Sequence, residues 1–149
     1  MNTDEHGLMH RQLTQTIIGV FYEVYNELGH GFLESVYQNS LVIALSKKGL
    51  DVRSPVDVPV WFRGTQVGRF EGDVLVEKSV FIEVKSARAL DSAHQAQLLN
   101  YLKATQIEIG LLLNFGLKPE FKRLIFDNKR KAERAVPEKL IENLFKTDD

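Results

Sequence analysis

In Val80-Phe81-Ile82-Glu83-Val84-Lys85-Ser86, the residues Val80, Ile82 and Val84 alternate with Phe81, Glu83 and Lys85, a period of two that predicts a β-strand. Nearly every neighbour is apolar or β-branched, so the strand is expected to be buried on both faces. A carboxylate and an ammonium on one face of such a strand are costly unless something compensates them. Upstream, Arg69-Phe70-Glu71-Gly72-Asp73-Val74-Leu75-Val76-Glu77-Lys78 reads as the preceding strand. The short Glu77-Lys78-Ser79 link predicts a hairpin that brings Asp73 beside Glu83. Two carboxylates converging next to a lysine make a divalent-cation site with a water-activating group attached. The plainer reading is a solvent-facing Glu–Lys pair that adds little to stability, and the pattern is weak when taken alone.

The whole chain bounds what such a site can serve. A length of 149 residues is enough for one domain with a core of its own. A hydrophobic fraction of 44% and a charged fraction of 26% are those of an ordinary globular protein. No apolar run approaches the ~18 residues that a membrane helix needs, so no membrane partner is expected. The first residues, Met1-Asn2-Thr3-Asp4-Glu5-His6-Gly7, are polar and acidic, unlike a secretory signal. With no cysteine there is no disulfide, thiolate metal site or cysteine nucleophile; this fits a reducing compartment, and the expected location is cytoplasmic. A net charge of −1 means that any nucleic-acid surface must be a local patch.

From about Gln12 to Leu28 the apolar residues Leu13, Ile17, Val20, Val24 and Leu28 recur at helical spacing, and Gly29-His30-Gly31 stops the helix. A second helix is expected from about Phe32 to Lys48, closed by Gly49. Glu34 lies three residues before Tyr37 and seven before Leu41, along a largely apolar stripe. It is either a solvated acid favoured by the helix dipole or a carboxylate aimed at the cluster. Val56 to Phe62 reads as a strand, with Pro59 placing it near an edge or a strand start, and Arg63 to Gly68 as a turn. Asp91 or Ser92 can cap a helix over Ala93 to Ala104, on which Leu98, Leu99 and Leu102 pack inward. His94, Gln97 and Tyr101 share another face, which is either exposed or turned toward the carboxylates. Ile107 to Phe115 is a central buried strand, and its position after a helix is what a parallel crossover requires. Phe121 to Phe126 is a peripheral strand.

Residues 127–149 read as a charged extension whose Asn128 to Arg134 run is expected to be exposed, followed from Pro137 by a short amphipathic helix through Leu140, Ile141, Leu144 and Phe145. Between Lys118 and Arg134, seven Lys/Arg stand against three Asp/Glu, either a solvated tail or a phosphate-binding patch.

Helix, helix, three strands, helix and strand thus carry Glu34, Asp73, Glu83, Lys85, Gln97 and Tyr101 in order, and this set resembles the PD-(D/E)XK nuclease superfamily. Within it, Gly31-Phe32-Leu33-Glu34-Ser35-Val36-Tyr37 is similar to the motif that names the GxxExxY protein family. Asp73 matches the acidic residue of the second core strand, and Glu83-Val84-Lys85 the acidic-x-Lys signature of the third. Gln97-Leu98-Leu99-Asn100-Tyr101 is similar to the Gln-x-x-x-Tyr helix motif of exonuclease-like branches. One departure is Gly72, where the name-giving motif has proline. The resemblance runs from about Leu13 to Phe126, so residues 1–126 are expected to form the nuclease-like domain. Each motif is weak alone; the ordered set is specific.

The resemblance implies an α/β, restriction-endonuclease-like fold, a mixed β-sheet core flanked by helices in α-α-β-β-β-α-β order. It also implies metal-dependent phosphodiester hydrolysis. Asp73 and Glu83 would each give oxygen to Mg²⁺ or Mn²⁺, with the Val84 carbonyl as a third ligand and Glu34 completing the set directly or through water. Hard oxygen ligands without cysteine disfavour zinc. Lys85 would hold and help deprotonate the attacking water or neutralise charge on the phosphorane, and Gln97 and Tyr101 would position water or phosphate, with His94 a weaker candidate. Nucleic acid is the expected partner, DNA ahead of RNA, with a homodimer through the C-terminal helix as a further expectation. The alternatives are a nucleic-acid-binding or scaffold domain of the same fold without hydrolysis, and a structural interaction protein that docks through its C-terminal helix.

Overall fold

Residues 3–131 are described by the computed structural model. They fold in the order α1 (Thr3–Leu28), α2 (Glu34–Lys47), β1 (Val52–Arg53), β2 (Val56–Phe62), β3 (Thr65–Gly72), β4 (Val74–Val76), β5 (Val80–Lys85), α3 (Ser92–Ala104), β6 (Ile109–Phe115) and β7 (Pro119–Ile125), ending in a 3₁₀ turn at Asn128–Lys131. One mixed sheet has the order β1-β4-β5-β6-β7, and β2 pairs with β3 in a separate hairpin. Among the described strands only β5 and β6 run parallel, joined by the α3 crossover. The architecture is the expected one, a mixed sheet flanked by helices.

The alternation in β5 sorts its side chains between two cores. Val80, Ile82 and Val84 enter a cluster with Ile17, Phe21 and Leu41 under α1 and α2. Phe81 enters another with Leu98 and Leu102 of α3 and with Val56 and Val58 of the hairpin. The opposite face of β5 from Val84 is therefore the α3 side, and Glu83 and Lys85 lie on it. Strand β6, apolar but for Asn114, is buried throughout, as a central strand must be.

Several boundaries differ from those read in the sequence. Helix α1 begins well before Gln12, because a helix can continue past the stripe that packs it. Helix α2 begins at Glu34, since Leu33 is still extended at φ −66°, ψ 153°. Thr65 to Gly68 belongs to β3, and the turn is confined to Arg63 and Gly64, at φ 50° and 80°, the left-handed pair of a two-residue hairpin loop. The single strand expected from Arg69 to Lys78 is broken at Asp73 into β3 and β4, as the chain passes from the hairpin into the main sheet. The hairpin of β4 and β5 turns at Glu77 and Lys78, both at φ 52°. Lys131, expected to be solvated, is buried: its ammonium donates to the Thr105 carbonyl at 3.0 Å and the Ile107 carbonyl at 2.6 Å, where α3 hands over to β6. Burial pulls its pKa down to about 8. The amphipathic helix expected from Pro137 lies outside the described residues.

Tyr37 ties the α1–α2 connection to the sheet. Fully buried, its ring stacks on Phe115 at 4.2 Å between centroids. Its hydroxyl donates to the Gly29 carbonyl at 2.6 Å and accepts from the Phe32 N–H at 3.2 Å. Tyr37→Phe keeps the packing and strips both partners, so it is expected to lower unfolding free energy by about 1–3 kcal/mol. Urea denaturation checks this: the midpoint moves down while the slope stays, and an unchanged midpoint would show that the hydroxyl stabilises nothing.

Candidate active site

The acidic cluster is built where the strand ladder is interrupted. The register of β4 on β5 sets Val74 opposite Ile82, so Asp73 reaches the sheet opposite Glu83. Glu83 Oε1 accepts the Asp73 N–H at 3.2 Å, and Asp73 Oδ2 accepts the Val84 N–H at 2.7 Å. The carboxylates thus take up backbone donors that a continuous ladder would have paired. Neither Asp73 Oδ1 nor Glu83 Oε2 has a hydrogen bond among the described residues.

The electrostatics follow from this burial. Glu83 is 4% exposed. Burial first, and the neighbouring Asp73 charge second, push its carboxyl up to about 8, against the opposing pull of the Asp73 N–H and Lys85. Asp73 is half-buried and also raised: burial outweighs the Val84 N–H and Lys85, with Glu34 and Glu71 adding repulsion. Two carboxyls raised side by side form a pair whose charged form a nearby cation would favour.

Three further elements close on the pair. Glu34 opens α2, and its Oε2 accepts the Ser86 N–H at 3.2 Å just past the end of β5. Lys85, half-buried, donates to Gln97 Oε1 at 3.1 Å, and Gln97 Nε2 donates to the Tyr101 hydroxyl at 2.7 Å. The Tyr101 ring stacks on Phe70 of β3 at 4.0 Å. Burial, then the Glu83 charge, push the Tyr101 hydroxyl up to about 12, so it stays a neutral hydrogen-bonding group. Glu34, Asp73, Glu83, Lys85, Gln97 and Tyr101 are therefore brought together. His94 is engaged otherwise: its Nδ1 accepts the Asp91 N–H at 3.2 Å while Asp91 Oδ1 accepts the His94 N–H at 3.0 Å, a reciprocal cap on α3.

Other residues of the site went unread in the sequence. Gln38 Nε2 and Ser54 Oγ both donate to the Asp73 carbonyl, at 3.0 and 2.6 Å. Asn114, fully buried in β6, accepts the Ala87 N–H at 2.8 Å and donates to the Ala87 carbonyl at 3.0 Å, fixing the loop after Lys85. A Cβ at Gly116 would overlap that same carbonyl, so the loop needs glycine there. The lone amide in an apolar strand was a legible signal for Asn114; Gln38 had only its place one helical turn after Glu34.

The donor set is all oxygen, which suits a hard dication. Among the described residues no three His, Cys, Asp or Glu side chains are grouped into a metal cage. Two carboxylates with open oxygens fit an ion that keeps waters and takes phosphate oxygens, as Mg²⁺ does.

No curated protein matches the chain. A solved structure, "Crystal structure of SSO0001", shares the fold at a TM-score of 0.52 and 19% identity, over 74% of this chain and 54% of that one. This chain thus spans about half the length of that protein. The family model of the PD-(D/E)XK nuclease superfamily matches residues 11–124, which hold Glu34, Asp73, the Glu83-Val84-Lys85 strand, Gln97 and Tyr101. The chain belongs to the PD-(D/E)XK nuclease superfamily.

Proposed function

We propose that this protein is a Mg²⁺- or Mn²⁺-dependent nuclease that hydrolyses nucleic-acid phosphodiester bonds at the Asp73–Glu83–Lys85 cluster. The observation that carries the reading is the geometry of the cluster: the buried Glu83 carboxyl accepts the Asp73 N–H, and Lys85 follows two residues on along the same face of β5. An inward-facing acid pair is stable as a dianion only with a cation beside it. Asp73 Oδ1, Glu83 Oε2 and the Val84 carbonyl would hold the ion, with Glu34, whose Oε2 is on the Ser86 N–H, completing the set directly or through water. A bound Mg²⁺ or Mn²⁺ would polarise the scissile phosphate and acidify an attacking water.

The protein's own groups supply the rest. Lys85 faces the α3 side with its ammonium steered by Gln97 Oε1. There it orients the nucleophilic water and stabilises the negative charge that grows on the phosphoryl oxygens. Gln97 is itself oriented by the Tyr101 hydroxyl, so the lysine is held before substrate arrives.

The purified protein, incubated with Mg²⁺ or Mn²⁺ and single-stranded DNA, duplex DNA or RNA, tests the proposal. Lys85→Ala is expected to cut turnover at least ~10²-fold with metal affinity nearly intact, since it removes a group acting on the transition state. Asp73→Asn is expected to abolish metal binding and cleavage together, because an amide is a poor ligand for a hard dication. Wild-type rates in both variants would put the activity elsewhere. Binding without cleavage by the unaltered protein would instead identify a nucleic-acid-binding domain of this fold.

The same charges predict a pH signature. Glu83 rises from 4.5 toward about 8 on folding, so the metal-free native state holds a proton that the unfolded state releases. This contribution is fully present below pH 4.5 and is lost as pH rises through about 8. Asp73, also raised, contributes with the same sign. In EDTA the melting temperature is expected to fall between pH 5 and 8, and Glu83→Gln should flatten most of that fall. Mn²⁺ should protect more at pH 8 than at pH 5, because it binds the deprotonated pair. A metal-free melting temperature that rises over that range would contradict the buried-pair assignment.

A further inference from the structure

We infer that Gln38 and Ser54 are positioning residues that set the metal affinity of Asp73 by gripping its backbone carbonyl. The inference rests on the metal site proposed above and goes beyond it, since neither residue belongs to the acidic cluster or to the motifs that identify it. Asp73 sits in no strand, between Gly72 of β3 and Val74 of β4, so no ladder fixes it. Its atoms are held one by one instead. The N–H donates to Glu83 Oε1, Oδ2 accepts from the Val84 N–H, and the carbonyl accepts from Gln38 Nε2 at 3.0 Å and Ser54 Oγ at 2.6 Å. Gln38 Nε2 also donates to Ser54 Oγ at 2.9 Å, closing a triangle of three half-buried groups. Oδ1 is the one polar atom of Asp73 left without a hydrogen bond among the described residues, and it is the atom a cation would take.

The grip also fixes a distance. Gln38 stands four residues after Glu34 on α2, on the same side of the helix. The helix that delivers Glu34 to the Ser86 N–H is therefore the helix that holds Asp73. Ser54 lies just past β1, which pairs with β4, so the triangle joins α2 to the sheet edge at the break between β3 and β4 where the two acids meet. Without the grip, the carboxylate could swing with its peptide, and the two oxygens offered to the ion would lose their fixed separation.

Mn²⁺ titration of the EDTA-stripped protein, by calorimetry or by the paramagnetic resonance of free Mn²⁺, tests the inference without substrate. Gln38→Leu and Ser54→Ala each leave the Asp73 carbonyl one donor, so both variants should fold. Each is expected to weaken Mn²⁺ binding ~10–100-fold, the usual effect of losing a group that orients a ligand. Ser54→Thr keeps the hydroxyl and should bind Mn²⁺ within about threefold of the unaltered protein, a rescue that general loosening would not give. Tyr37→Phe supplies the matching control, since it loosens the α1–α2 connection without touching the Asp73 carbonyl and should weaken Mn²⁺ binding less than either variant. Undiminished affinity in Gln38→Leu, Ser54→Ala and the double variant would overturn the inference while leaving the metal site standing. A loss in Tyr37→Phe as large as theirs would overturn it too. Absence of Mn²⁺ binding in the unaltered protein would overturn the metal site itself and this inference with it.

Discussion

Where an antiparallel ladder would pair Asp73 with Glu83 through backbone groups, the side chains intervene. Glu83 Oε1 takes the Asp73 N–H and Asp73 Oδ2 takes the Val84 N–H, so carboxylates finish the edge of the pairing that β4 and β5 begin. Removing either side chain would strand a buried donor, a loss of about 1–3 kcal/mol apart from any effect on charge. The sheet and the candidate site are therefore held by the same atoms. An amide keeps the acceptor oxygen and the fold while it withdraws the charge, which makes Asn and Gln the informative replacements here. The repulsion between a buried and a half-buried acid persists because the surrounding packing holds both in place.

That packing comes from both faces of the sheet. On one side, α1 and α2 place Tyr37 on Phe115 and deliver Glu34 to the end of β5. On the other, α3 presents Gln97 and Tyr101 to Lys85. The two sides meet at the end of β5, where Asn114 and the bare backbone of Gly116 hold Ala87 close against β6. A single loop thus registers helices from opposite layers, and this explains a buried amide in a strand that is otherwise apolar.

The elements legible in the sequence are those fixed by local pattern. The stripe of Ile17, Val20 and Val24 is decided by helical period, and the continuous run of Leu111, Leu112 and Leu113 by burial on both faces. The meeting of Asp73 and Glu83 was legible because a short link leaves the hairpin little choice of register. The break at Asp73 was not, since period-two alternation continues through Phe70, Gly72 and Val74 although the two halves join different sheets. Lys131 read as one charge of a basic run, but two carbonyls between α3 and β6 needed a donor, and only the tertiary structure brings them within its reach. Gln38 and Ser54 were invisible for the same reason: their acceptor is a backbone carbonyl, which carries no mark in the sequence.

The position of Lys85 shows how far this dependence extends. Its ammonium is steered by Gln97, Gln97 by the Tyr101 hydroxyl, and the Tyr101 ring by Phe70, which stacks on it from the hairpin. Phe70 belongs to β3, and β3 ends at Gly72, directly before Asp73. A side chain at Gly72 would stand 3.6 Å from the Phe81 ring, ordinary contact, so the approach of hairpin to sheet there is close without being forced. The hairpin thus reaches the cluster twice, through the chain at Asp73 and through the aromatic stack at Tyr101. A displacement of the hairpin would move the acid and the lysine by separate routes, and their mutual geometry holds only while both contacts hold. The hairpin pairs with no strand of the main sheet, yet it shares a core with α3, and through that core it sets where the acid and the lysine meet.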